Sequence, residues 1–127
     1  ESGTCADLNN PYSNYADALA SLEKVRDMDI EIFLPSHGEA VQGKERVQAL
    51  LDAMIANTHR FMNDIRDFLS HREGTLADIF KYVMPDVPFT LKAMKMMQVL
   101  ACLKHLHKEQ QVILEKQGNK LVWRLIR

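Results

Sequence analysis

The sequence has 127 residues and a formal net charge of −1, with 46% apolar and 26% charged residues. That composition fits a folded chain about the size of one domain; it excludes a disordered tail, and no apolar run approaches the ~20 residues of a membrane span. Two cysteines, Cys5 and Cys102, are too few for a disulfide scaffold, so a reducing, cytoplasmic setting is expected.

Position 1 is glutamate, which is expected to mark a processed or truncated product, and nothing nearby resembles a secretory signal. The stretch through Asn9-Asn10-Pro11 lacks periodicity and reads as a tail or loop. Ser13 or Asn14 can cap a helix running to about Arg26, in which Leu19, Leu22 and Val25 are spaced for one buried stripe. Glu31-Ile32-Phe33-Leu34-Pro35 is a short apolar run ended by proline and reads as a strand, followed by Ser36-His37-Gly38. A helix, a strand and a loop have too little apolar area to stand alone, so this part reads as the last piece of a larger α/β domain.

From Lys44 to about Ser70 the apolar positions recur at intervals of three and four over about seven turns, which predicts one long helix. Its expected buried stripe is Val47, Leu50, Leu51, Met54, Thr58, Phe61, Met62, Ile65, Phe68 and Leu69. Thr75, with Asp78 three residues on, caps a short helix holding Leu76, Ile79, Phe80 and Val83 and ending before Pro85. After the Pro85-Asp86-Val87-Pro88 turn, Thr90 can cap a further helix over about Leu91 to Glu109. The segments 111–116 and 121–125 flank Gly118-Asn119 and read as a hairpin. Three helices followed by a two-stranded wing is the layout of a winged-helix domain. The expected fold class is therefore mainly α with a β-hairpin, preceded by a helix–strand fragment of an α/β fold, with the division between residues 43 and 44.

His37 is the most suggestive single residue, because Ser36 and Gly38 beside it are small enough to let a metal or substrate approach. A lone loop histidine is more often structural or solvated than a metal ligand. The other histidines assemble no site: His105 and His107 project about 200° apart on one helix, and His59 and His71 are too distant to share an ion. There is no HExxH, no CxxC and no Gly-rich phosphate loop. Neither Cys5 nor Cys102 has a histidine placed to mark it as a nucleophile.

The run Phe33-Leu34-Pro35-Ser36-His37-Gly38-Glu39-Ala40-Val41 resembles the Pro-Gly-His-Gly segment carrying the last metal-ligand histidine of the metallo-β-lactamase fold. Tyr15, Ser21-Leu22 and Val25 resemble the helix before it. His59-Arg60, Thr75-Leu76-Ala77-Asp78-Ile79 and the closing wing resemble the winged-helix extension of the hydroxyacylglutathione-hydrolase-like and endoribonuclease-like branch. The resemblance implies a hydrolase in which two divalent ions, usually zinc, activate a hydroxide, with His37 as a ligand to the second ion. It also implies a catalytic domain N-terminal to this segment as the natural partner. Three departures stand out: Ser36 replaces a glycine, Asn63 stands where a second arginine is common, and the His-x-His-x-Asp-His motif is absent. The isolated chain is therefore expected to be inactive, to hold no two-metal site, and to contribute no catalytic residue of its own.

Charge is divided unevenly: through Gly74 seven Lys/Arg face 13 Asp/Glu, whereas from Thr75 onward nine face four. A basic C-terminal half keeps nucleic acid among the candidate partners, through Lys92, Lys95, Lys104, Lys108, Lys116, Lys120 and Arg124. Mutual attraction of the two halves accounts for the asymmetry equally well. Rotation about the last helix puts Met96, Val99, Leu100, Leu103 and Leu106 on one apolar arc, and Met94, Met97, Gln98, Ala101, Lys104, His105 and Lys108 on the opposite one. That opposite arc has no Arg or Asn to read bases; its methionines favour contact with protein, either the catalytic domain or a second copy, and equally well merely flank a broad core. Two functions follow. The first is the C-terminal region of a metal-dependent hydrolase, whose winged helix shapes the substrate entrance or an interface; the alternative is a nucleic-acid-binding winged-helix module.

Overall fold

The computed structural model describes residues 14–34 and 39–126. Its elements run α1 (Tyr15–Arg26), β1 (Ile32–Phe33), β2 (Val41–Gln42), α2 (Lys44–His71), α3 (Leu76–Val83), a 3₁₀ turn (Phe89–Leu91), α4 (Lys92–Lys108), β3 (Val112–Gln117) and β4 (Lys120–Leu125). The described chain is thus mainly helical, with two small antiparallel hairpins. Among the described residues no helix is long and apolar enough to cross a membrane.

Asn14 is the cap of α1: its Oδ1 accepts from the Asp17 backbone N–H at 2.9 Å. Leu19, Leu22 and Val25 are only half-buried, and the residue that α1 buries most deeply is Tyr15, 6% exposed. The strand expected over 31–35 is shorter in its described part. β1 pairs with β2 through Ile32↔Gln42 and Phe33↔Val41, and the Gly43 N–H donates to the Glu31 carbonyl at 2.8 Å. Two-residue strands carry no readable period, which is why β2 escaped the sequence pattern.

α2 extends about 42 Å and buries Val47, Leu51, Thr58, Phe61, Met62, Ile65, Phe68 and Leu69 as its periodicity requires, with Ile55 and Asn57 in addition. Leu50 and Met54 are half-buried. α3 starts in a reciprocal capping box: the Asp78 N–H donates to Thr75 Oγ1 at 3.2 Å, and the Thr75 N–H donates to Asp78 Oδ2 at 3.0 Å. Ile79 and Phe80 are its buried residues.

The start of α4 corrects the sequence reading. Thr90 does not cap it; Thr90 lies inside the 3₁₀ turn, closed by the Leu91 N–H on the Pro88 carbonyl at 3.0 Å, and Leu91 takes the cap position with no side-chain hydrogen bond. Pro88, at φ −58°, already sets the chain into a turn, so one tight turn forms before the α-helix begins. α4 ends in a Schellman motif: the Gln111 N–H donates to the Leu106 carbonyl and the Gln110 N–H to the His107 carbonyl, with Gln110 at φ +59°.

β3 and β4 form the expected hairpin in register Val112↔Leu125 through Gln117↔Lys120. The two-residue loop is Gly118-Asn119, with Gly118 at φ +63°, as the first central residue of a type II′ turn requires. Gly74 adds a one-residue third strand, exchanging backbone hydrogen bonds with Trp123 at 3.1 and 2.8 Å. One contiguous buried cluster joins Tyr15 of α1 to Phe61, Met62, Ile65, Phe68 and Leu69 of α2, Ile79 and Phe80 of α3, Val99, Cys102, Leu103 and Leu106 of α4, and Val112 and Trp123 of the hairpin.

Candidate functional site

His37 lies outside the described residues, as does the Cys5 thiol. On the described side, Leu34 precedes the His37 segment and Glu39 follows it, and β1 and β2 flank it. The β1–β2 hairpin is continuous with α2, because the Val47 N–H donates to the carbonyl of Gly43, the residue that closes the ladder. Among the described residues no three His, Cys, Asp or Glu side chains stand where they could hold a metal ion. Cys102 is fully buried in the core.

The seven basic residues considered for nucleic acid fall on separate stretches. Lys92 is exposed and Lys95 half-buried at the start of α4, Lys104 and Lys108 are exposed near its end, and Lys116 and Lys120 are exposed on the hairpin. Lys104 and Lys108 line a common cleft. Arg124 is half-buried and makes a paired contact with Glu115, Nε to Oε1 at 2.5 Å and Nη2 to Oε2 at 3.2 Å. The hydrogen bond from Arg124 holds the Glu115 carboxyl below the usual carboxylate range, and Glu115 raises the guanidinium in return. This side chain is committed within the hairpin.

The packing of α4 departs from the rotation expected from its sequence. Val99, Leu103 and Leu106 are buried as expected and Met96 and Leu100 half-buried, but Gln98 and Ala101, on the arc opposite the apolar one, are also buried, at 3% and 4% exposure. His105 is only 20% exposed in its side chain. α1 accounts for the His105 side of this arc. The Tyr15 ring rests against the His105 imidazole with centroids 5.0 Å apart, and the Tyr15 hydroxyl reaches the Thr58 carbonyl of α2 at 3.4 Å. Between the first turn of α1 and the last two turns of α4 this leaves a cleft of about 210 Å³, lined by Asn14, Tyr15, Ala101, Lys104, His105 and Lys108 among others. No sequence period announces this contact; its one signal was an aromatic residue directly after the helix cap.

At the far end of α2, Tyr82 donates to Asp67 Oδ2 at 2.6 Å, which raises the phenol. The Arg72 guanidinium lies over the Phe68 ring, 4.5 Å from its centroid.

Among solved structures the chain is similar to a β-lactamase domain protein from Burkholderia ambifaria, with a TM-score of 0.76 and 20% sequence identity. The chain shares its fold with that protein. The likeness covers 97% of this chain but 37% of the other, so the chain spans little more than a third of the length of the structure it matches. No family model matches the chain, and no curated protein matches it.

Proposed function

We propose that this chain is the C-terminal part of a metal-dependent hydrolase of the metallo-β-lactamase fold. In this reading His37 is one ligand of a centre of two divalent ions, zinc or a similar metal. Residues 44–127 form the winged helix of the hydroxyacylglutathione-hydrolase-like branch and shape the substrate entrance or an interface. The observation that carries the reading is the fold shared over 97% of this chain with a β-lactamase domain protein of which it covers 37%.

The first part of the chain supports it. Ile32 and Leu34 are 57% and 75% exposed on and just after a two-residue strand, and Met28 is 56% exposed. Beside them a mainly apolar cavity of about 290 Å³ opens between α1, β1 and α2, lined by Leu22, Val25, Phe33, Leu51 and Met54 with Ala18 and Ser21. An apolar edge of this kind is normally covered, and an adjoining catalytic domain would cover it. The Gly74–Trp123 bridge supports the winged-helix reading, since it supplies a third strand between the first and second helices of such a unit.

The test is the metal content of the longer protein. His37→Ala is expected to lower bound metal per chain and to abolish hydrolase activity, with the fold intact by circular dichroism. Full metal occupancy with retained activity would falsify the reading.

A further inference from the structure

We draw no further inference here: the strongest candidate, the exposed apolar patch of Phe89, Leu91 and Met94 where the 3₁₀ turn leads into α4, carries nothing because nothing in the structure shows what covers it.

Discussion

The ring of Tyr15 and the imidazole of His105 stand 5.0 Å apart, tilted by 41°, and fasten the first helix of the chain to the last. Eleven residues after Tyr15, α1 ends at Arg26, whose Nη1 lies 3.8 Å from Asp52 of α2. That ion pair is exposed and contributes little, so the hold on α1 is apolar. Tyr15→Ala is expected to lower stability by about 3 kcal/mol and to release α1 amides to rapid hydrogen exchange. Tyr15→Phe keeps the ring and costs about 1 kcal/mol or less. Urea denaturation of both variants checks the order; equal losses would mean that the hydroxyl, not the ring, holds the helix.

Gly74 occupies a position where no side chain fits. A Cβ there would sit 2.8 Å from Cζ of Phe68, and the Phe68 ring is 3% exposed, with Arg72 over its face and Tyr82 at its edge. Gly74→Ala is expected to cost about 1–3 kcal/mol by forcing the ring away or parting Gly74 from Trp123. Combining it with Phe68→Leu is expected to cost less than the sum of the two single changes, and a double-mutant cycle by urea denaturation reads the coupling. Additive losses would place the strain elsewhere.

Gln110 is the one described residue other than glycine with positive φ, at +59° in the Schellman turn that ends α4. Glycine adopts that conformation without the steric cost of a Cβ. Gln110→Gly is expected to stabilise the chain by about 1 kcal/mol, seen as a higher melting temperature with the fold unchanged.

The capping box of α3 carries an acid-range signature. The Thr75 backbone N–H, and then its hydroxyl, hold Asp78 below the ordinary carboxylate range. The unfolded chain therefore binds a proton at this site more readily than the folded one. The stabilisation is complete above about pH 4 and is lost as pH falls through the lowered folded value. Asp78→Asn is expected to flatten the fall in stability on that acid side. Thr75→Ala is expected to cost about 1 kcal/mol at neutral pH. Melting temperatures between pH 2 and 7 check both; identical acid slopes in wild type and Asp78→Asn would contradict the first.

The long helix, the capping box and the hairpin were legible in the sequence because each has a strong local cause. Val47 through Leu69 repeat at helical spacing, Thr75 and Asp78 satisfy one another, and Gly118 relieves a turn that other residues resist. What stayed hidden was tertiary. Gln98 and Ala101 are buried on the arc opposite the apolar one, and neither residue reports on the elements that cover it. Likewise the tight turn at Phe89–Leu91 follows from the backbone angle of Pro88 more than from the capping chemistry of Thr90. The metal-ligand role proposed for His37 rests on the resemblance of residues 33–41, whose central part lies outside the described residues.

Anomalous scattering from crystals of the longer protein, collected at the absorption edge of its metal, tests that role most directly. The expected result is a metal peak within coordination distance of a His37 imidazole nitrogen, about 2.0–2.1 Å if the ion is zinc. A fully occupied metal centre with the His37 ring turned away from it would contradict the assignment.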